Sequence, residues 1–324
     1  MLEDANLCGA KLRFARLEGA VLEACLLRRA DLWGAFLAGA IAHGADLRGA
    51  TLREADLKGA DLSEANLRRA MLSQARLQGT KLRGADLRRA SIAGADLGGA
   101  DLRDARLDGL DFSRSLIPHV SLGGARLART RFERDQLGGA VGEELAAEHD
   151  EARKAYLALE RLFQESGDPD GASWAYRRKR RMEKLDALDK ARDARDAGDR
   201  RAMIACSVDF ASNQVVEWVC DYGESAGRIL KFMGVILLAF AMIYGLTGGV
   251  VRTTATVAGE VKVTTRRPID LFLFSLFAMA SPSNPPVGLL PRDEVTQLLS
   301  GVQALIGIAL TGLLGFVMGN LVRR

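Results

Sequence analysis

The chain is poor in the residue types that form catalytic and metal sites. Its 324 residues include only four cysteines and three histidines. The cysteines form no CxxC pair, and the sequence has no HExxH, P-loop, nucleophile-elbow or glycine-rich nucleotide motif. The cysteines are Cys8, Cys25, Cys206 and Cys220, and the histidines are His43, His119 and His149. We therefore expect no enzymatic activity, no catalytic residues, no cofactor and no bound metal.

Long apolar runs are missing from residues 1–225 and frequent in residues 226–324. The N-terminus has no apolar stretch of the signal-peptide type, so we do not expect the charged part to be exported. The scattered cysteines fit a reduced, cytosolic setting. We expect a multi-pass protein of the cell membrane, the inner membrane in a bacterium, with both termini in the cytoplasm.

A five-residue repeat fills residues 1–140. Stepping by five from Leu2 to Leu137 gives 28 positions, and 27 of them hold Leu, Ile or Phe, with Ala42 as the exception. The residue two places earlier is mostly Ala. A period of five matches neither a helix nor a strand. It matches a coil that turns a corner every five residues, so that four units make one turn and the turns stack at sheet spacing.

The run "ADLRGATLREADLKGADLSEANLRRA", residues 45–70, resembles the pentapeptide-repeat family, whose motif is A(D/N)LXX. The resemblance implies a right-handed quadrilateral β-helix over residues 1–140, about 34 Å long. This segment has 22 Lys and Arg against 18 Asp and Glu. Some members of the family are acidic mimics of DNA, and this charge balance argues against such mimicry. Since basic and acidic residues are interleaved, we also expect no nucleic-acid partner, and a protein partner stays open.

Helical periodicity replaces the five-residue period after Gly139. We predict helices over residues 143–167, 174–198 and about 200–222. They would form a connector, residues 141–222, that caps the open end of the rod. Its stretch "AYLALERLFQESGDPDGASWAYRRKRRMEK" resembles the helical hairpin that follows the repeats in membrane-attached members of the family. The apolar positions are Leu145, Ala152, Tyr156, Leu159 and Phe163 in the first helix, and Ile204, Val208, Val215, Trp218 and Val219 in the third.

The most basic stretch of the connector is "RRKRR", residues 177–181. One interpretation is contact with anionic lipid at the cytoplasmic face. The other is a solvated helix face whose charge is balanced by the acidic residues that follow, beginning with Glu183.

Two apolar segments are long enough to cross a bilayer: residues 229–251, with one charge at Lys231, and residues 298–322, with none. Residues 269–280 are apolar but too short to cross. "SPSNPPVGLLP", residues 281–291, follows with four of the seven prolines, which excludes regular helix or strand. Irregular backbone persists at membrane depth only where it is buried in protein or lines a cavity. We therefore predict an all-α membrane domain, residues 223–324, with a pore helix and re-entrant loop at 269–291.

This layout resembles the two-transmembrane pore module of the potassium-channel family. "FLFSLFAMASPSNPPVGLLP" stands where that family has its pore helix and its Thr-x-Gly-Tyr-Gly filter. "LLSGVQALIGIALTGLLGFVMGNLVRR" is similar to the inner helix, and "DYGES" to the lead-in to the first span. The resemblance implies a homotetramer. Here Ser283-Asn284-Pro285-Pro286-Val287 replaces the glycines whose carbonyls would coordinate potassium, so we infer that potassium selectivity is absent.

The candidate pore residues form two groups. The selectivity filter or pore loop would comprise Ser281, Ser283, Asn284, Pro285, Pro286, Val287 and Gly288. The inner-helix lining would comprise Gln303, Gly307, Thr311, Gly315 and Asn320. Gln303, Gly307, Thr311, Gly315 and Gly319 recur every four residues. This spacing has two interpretations, a pore-facing stripe or a seam of small residues packed against another helix.

We therefore predict an oligomeric ion channel whose partners are the lipid bilayer and the permeant ions. Basic residues near the pore favour anions and the pore-helix dipole favours cations, and we expect an anion-permeable or poorly selective pore. The repeat domain would serve regulation or assembly. The alternative is a membrane-anchored pentapeptide-repeat scaffold that binds a protein partner without conducting.

Overall fold

The computed structural model describes residues 3–256, 259–280 and 288–322. They divide into two compact units, residues 1–210 and 211–324. The boundary falls inside a helix at Phe210, whereas the sequence placed it at residue 222. The repeat and the first connector helices belong to the same unit because they share one hydrophobic core.

The first unit begins as a four-sided coil. Parallel β-bridges join residues that lie 20 apart, from Asn6–Leu26 to Asp111–Arg131, so that four pentapeptides make one turn. At the five-residue positions from Leu22 to Leu127, every Leu, Ile or Phe is at most 5 % exposed. The five-residue prediction is confirmed, since the repeated Leu and Ala fill the interior and the remaining positions face outward.

Each corner of the coil is a tight turn, as residues 61–65 illustrate. The Ala65 N–H donates to the Leu62 carbonyl at 3.1 Å, and the Ser63 N–H donates to the Asp61 carboxylate at 3.0 Å. The second turn residue, Glu64, has a φ of 59°, in the left-handed region that glycine prefers. Asp or Asn before the Leu therefore caps the turn.

Three polar residues replace the interior Ala and find internal partners. The hydroxyls of Thr80, Ser115 and Thr130 donate to backbone carbonyls 23 residues earlier, at 2.8, 2.8 and 3.1 Å. Each hydroxyl is buried and hydrogen-bonded, so these departures from the repeat do not interrupt the core.

Helices close the C-terminal end of the coil. After a short 3-10 helix, Arg134–Leu137, come α1 (Gly142–Leu145), α2 (His149–Ser166), α3 (Pro169–Asp196) and α4 (Arg200–Cys220). The rings of Phe112, Phe132 and Phe163 form a chain of edge-to-face contacts from the last turns of the coil into α2. The predicted capping is confirmed for α2 and α3, which share the core of the coil.

Two details of the connector differ from the prediction. The first helix is interrupted, because Ala147 has a φ of 58° and α2 begins only at His149, which leaves Leu145 62 % exposed. The third helix, α4, adds nothing to the cap. Four of its five predicted core residues are more than half exposed: Ile204, Val208, Val215 and Trp218.

The basic stretch at residues 177–181 is paired with acidic side chains. Arg178 binds Glu144, Lys179 lies 2.6 Å from Glu160, and Arg180 lies 2.5 Å from Glu183. This supports the balanced helix face over lipid contact. The histidines lie apart: His43 is near Glu64, His119 near the Ala140 carbonyl, and His149 beside Asp189.

The second unit contains two long helices, a short helix and a small sheet. The elements are α5 (Ala226–Thr247), β1 (Val250–Thr256), β2 (Gly259–Thr264), α6 (Pro268–Ala280), β3 (Leu289–Pro291) and α7 (Glu294–Val322). The strands are antiparallel in the order β2-β1-β3. This unit is therefore not all-α as predicted. Leu289–Pro291, which the sequence analysis assigned to irregular structure, form β3 and pair with β1. Both long helices begin a few residues earlier than the predicted spans.

Candidate pore domain

The short helix α6 is fixed at its N-terminal end by a buried carboxylate. Asp270 is 5 % exposed and accepts a hydrogen bond from the Thr265 hydroxyl at 2.8 Å. The Arg252 guanidinium of β1 lies 3.2 Å from the same carboxylate. A buried acidic group is tolerated when it is paired and hydrogen-bonded, and this pairing ties the start of α6 to the sheet.

A polar network in the middle of α6 connects all three helices. The Gln303 side-chain amide of α7 donates to the Ser275 hydroxyl at 2.7 Å and to the Ser275 carbonyl at 3.1 Å. The Tyr244 hydroxyl of α5 donates to the Gln303 oxygen at 2.9 Å, and Ser275 donates to the Leu237 carbonyl at 2.8 Å. Tyr244, Ser275 and Gln303 are fully buried. Ser275 and Gln303 both donate and accept within the network, and Tyr244 donates to it. The network therefore fixes the mutual orientation of α5, α6 and α7.

The C-terminal end of α6 packs against a glycine of α7. A Cβ on Gly307 would overlap the Met279 carbonyl oxygen, so only glycine permits this approach. Gly307 stands 13 residues after the first residue of α7, Glu294, and at 1.5 Å per residue this is about 20 Å along the helix. The helix α6 therefore extends from the sheet to about that depth along α7.

The sheet brings the end of α5 and the start of α7 together. Val250 pairs with Pro291, and the Arg292 N–H donates to the Gly249 carbonyl at 2.7 Å. Asp293 caps α7 by accepting from the Thr296 N–H at 2.9 Å and from its hydroxyl at 2.7 Å. These hydrogen bonds lower the pKa of the Asp293 carboxyl. The two long helices are thus joined at the same end, on the side where α6 begins.

Most residues of the predicted pore loop fall in a stretch that the structure does not describe. Ser281, Ser283, Asn284, Pro285, Pro286 and Val287 lie outside the described residues, and their role stays a prediction. Gly288 is described: its φ is 83°, and its carbonyl accepts the Thr253 N–H at 2.7 Å, which joins it to the sheet.

The predicted inner-helix stripe divides into two parts. Gln303 and Gly307 are buried against α6, which matches the packing seam and not a pore-facing surface within one chain. Thr311 and Gly315 are exposed, and the Thr311 hydroxyl donates to the Gly307 carbonyl at 2.8 Å. Asn320 lies in the last turns of α7.

Sequence reasoning did not anticipate Tyr244, Asp270 and Ser275 as partners within this domain. Ser275 is the one hydroxyl inside "IDLFLFSLFAMA", and a lone polar residue in an apolar segment is a signal for a buried hydrogen bond. No comparable signal marks Tyr244, because tyrosine is common at membrane interfaces.

Large apolar surfaces of this unit remain uncovered in a single chain. Two helices, α5 and residues 294–319 of α7, are long and apolar enough to cross a membrane by length and composition. On α6, five large apolar side chains away from the polar network are exposed, Ile269 to 67 % and four others to between 37 and 41 %: Phe272, Leu273, Leu276 and Phe277. Surface of this kind requires lipid or another protein surface.

A family model described as pentapeptide repeats matches eight copies over residues 2–23, 20–59, 52–89, 72–109 and 95–134. Residues 2–134 form a pentapeptide-repeat domain. The coil with its 20-residue turn agrees with this family. The second unit, residues 211–324, lies outside the match.

Solved pentapeptide-repeat proteins resemble this domain. HetL from Nostoc sp. strain PCC 7120, described as involved in heterocyst differentiation regulation, is 28 % identical over 39 % of this chain and 74 % of its own, with a TM-score of 0.22. Rfr23 from Cyanothece 51142 is 31 % identical over 32 % of this chain and 64 % of its own, with a TM-score of 0.24. Trypsin-treated QnrB1, a plasmid-mediated fluoroquinolone resistance protein, is 20 % identical over 44 % and 84 %, with a TM-score of 0.22. No curated protein matches the sequence.

Proposed function

We propose that this chain forms an oligomeric ion channel of the cell membrane, with its pentapeptide-repeat domain in the cytoplasm as a regulatory or assembly domain. The observation that carries the proposal is the placement of α6. This helix is too short to cross a bilayer, yet it lies between two helices that are long enough, and it ends beside Gly307, about 20 Å along α7.

The connectivity around α6 supports a pore loop. Met279, near the end of α6, lies beside Gly307 of α7. Nine residues later, the Gly288 carbonyl is hydrogen-bonded to the sheet. The predicted re-entrant loop, residues 281–287, would connect these two points. Proline-rich backbone at that depth persists only against protein or a water-filled cavity.

The uncovered surfaces support assembly from several copies. One chain provides two spans and one loop, which is too little to enclose a pore. The polar side of α6 is satisfied within the chain, while its apolar side is open to neighbours. We propose a homotetramer, as the resemblance to the potassium-channel layout implies, with Ser281, Ser283, Asn284, Pro285 and Pro286 at the constriction. Without the filter glycines, this pore would be anion-permeable or poorly selective.

The test is the reversal potential of purified protein in planar bilayers under a chloride-salt gradient. Asn284→Asp should move the reversal potential toward cation permeability, and Asn284→Lys should move it toward anion permeability, because charges in a confined pore act at low dielectric. Arg266→Glu, at an exposed position between β2 and α6, is the control and should change it little, because salt screens exposed charges. Absence of current from tetrameric protein would favour the alternative, a membrane-anchored scaffold.

A further inference from the structure

The charges of the pentapeptide-repeat domain are sorted by side of the coil. Because equivalent pentapeptides stack 20 residues apart, each position in the turn builds one side. The second pentapeptides, starting at residues 6, 26, 46 and onward, form a basic face with ten Arg and three Asp. The first pentapeptides, starting at residues 1, 21, 41 and onward, form an acidic face with seven Asp or Glu and three Lys or Arg. The third and fourth sides are nearly balanced, so the small net charge hides two charged faces.

Two arginines of the basic face form no ion pair with other residues that the structure describes. Asp46 binds both Arg28 and Arg48, at 2.5 and 2.7 Å. In contrast, Arg29 and Arg69 form no ion pair within 4.0 Å in the part of the chain that the structure describes. They lie two turns apart, about 10 Å. Gly49 lies between them in a groove of about 820 Å³.

The corner positions of the basic face hold Arg against the preference of the backbone. Four corners have a φ between 56 and 62°: Arg29, Arg69, Arg89 and Arg129. A side chain with a Cβ is disfavoured there. On the fourth side, six of the seven equivalent corners are glycine, and His119 is the seventh. Non-glycine corners of this kind also occur on the acidic face, at Asp4, Ala24, Glu64 and Asp104, so both charged faces place charged side chains at strained corners.

The acidic face presents exposed carboxylates in the same turns of the coil as these arginines. Its three basic residues are neutralised on the face itself, by Asp61, Asp104 and Asp101 at 3.6, 3.2 and 2.6 Å. Glu23 and Glu64 are exposed, and the ion-pair partner of Glu64 is a histidine at 3.9 Å. Glu23 and Arg29 belong to the turn of residues 21–40, and Glu64 and Arg69 to that of residues 61–80.

We propose that four copies of the coil stand side by side with parallel axes, each placing its basic face on the acidic face of the next. The two faces are consecutive pentapeptides of a four-sided turn, so they adjoin at one corner and differ in direction by about 90°. When the contact joins two different faces, the same rotation relates each copy to the next. A rotation of 90° per copy gives a closed ring of four copies. The inference rests on the oligomeric assembly of the proposed function but not on conduction.

The chemistry of the basic face favours a second copy over nucleic acid. Arginine suits carboxylates as well as phosphates. The second pentapeptides contain no aromatic residue on which bases could stack, and the acidic face at the adjoining edge would repel a polyanion.

The experiment is cysteine cross-linking of the full-length protein in mild detergent. In a background with Cys8→Ser and Cys206→Ser, which leaves only the buried Cys25 and Cys220, the pair Glu23→Cys and Arg29→Cys is treated with a short bis-maleimide. Denaturing gels should show a ladder up to tetramer for the double-cysteine variant and only monomer for either single variant. Arg69→Glu or Glu64→Arg in the double-cysteine background should weaken the ladder several-fold, and the two together should restore it. Arg53→Glu, exposed on the third side, is the control and should leave it unchanged.

The outcomes separate this contact from other assemblies. If light scattering shows a tetramer but no ladder forms, the proposed contact is wrong and the channel proposal is unaffected. If the ladder forms but no current is measured, the contact is supported and the channel proposal is wrong. A ladder from one single variant would indicate contact between like faces and would overturn the proposal. If Arg69→Glu weakens the ladder and adding Glu64→Arg does not restore it, the basic face binds a polyanion such as nucleic acid or anionic lipid. That result also overturns the proposal. Elution volume and thermal melting check that each variant is folded.

Discussion

Gly307 of α7 lies against the Met279 carbonyl of α6, with no room for a Cβ between them. This contact and the Gln303 network both join α6 to α7, at positions about one helical turn apart on α7. The position of the inner end of α6 therefore depends on a residue that has no side chain.

We predict that Gly307→Ala destabilises the second unit although alanine is the better helix former. Overpacking should cost about 1–3 kcal/mol, more than the roughly 1 kcal/mol gained in helix propensity. The matched control is Gly312→Ala, because an added Cβ at Gly312 meets nothing within 4 Å. Thermal melts in detergent should show a lower Tm for the first variant and an equal or higher Tm for the second. Equal melting of both would show that α6 does not approach α7 in this way.

Gln303→Leu should also destabilise this unit, by about 1–3 kcal/mol, because it leaves the buried Tyr244 hydroxyl without its acceptor. Adding Tyr244→Phe should recover part of the loss, since removing both polar partners is less costly than removing one. Gln297→Leu, at an exposed position on α7, is the control. If Gln303→Leu melts like the parent and alters only ion selectivity, the residue faces the pore and not the helix seam.

Glu143 should make the stability of the capped coil fall as pH rises through neutrality. Its carboxylate is 1 % exposed, one oxygen accepts the Gly123 N–H at 2.5 Å, and the other has no hydrogen-bond partner among the described residues. Burial raises the pKa of Glu143 to about 7 from an ordinary value of 4.5. Between these values the folded protein holds a proton that the unfolded chain releases, so unfolding becomes easier as pH increases.

The expected loss between about pH 5 and pH 8 is up to about 3 kcal/mol. Glu143→Gln should remove this part of the pH dependence, because its side-chain oxygen can still accept from Gly123. Urea titrations of the full chain at several pH values measure the slope, with Glu165→Gln at an exposed site as control. A parent whose stability is flat over this range would contradict the prediction.

Leu57→Lys should cost several kcal/mol, because Leu57 is 1 % exposed and a charge there would have no partner. Arg53→Glu, on an exposed outer position of the same turn, should be nearly neutral. Arg48, also on the outside of this turn, is a less suitable control, since it pairs with Asp46 at 2.7 Å and helps lower the pKa of Asp46 to about 2. Similar melting temperatures for the Leu57 and Arg53 variants would contradict the assigned interior.

The coil could be predicted from the sequence because its interior accepts few shapes. Leu57 and Ala55 are buried at 1 and 0 % as their place in the repeat requires. The exceptions are accommodated as well, since the buried Thr80, which replaces an Ala, donates its hydroxyl hydrogen bond to the Leu57 carbonyl.

The membrane-type unit was less predictable. The strands β1 and β2 carry a signal in their β-branched run around Gly259, but the apolar spans on both sides led to an all-helical prediction. Gln303 shows a different limit. Helical spacing tells which residues share a side with Gln303, whereas its role depends on Ser275 and Tyr244, which lie 28 and 59 residues away.

The 20-residue turn has a consequence for how the coil tolerates change in length. Removing five residues would preserve the Leu and Ala interior, yet it would rotate every later pentapeptide to the next side and break up both charged faces. Removing 20 residues would shorten the coil by one whole turn and keep each face in line. Length is therefore free to vary in steps of five as far as folding is concerned, but only in steps of 20 if the surface is to keep its charge pattern.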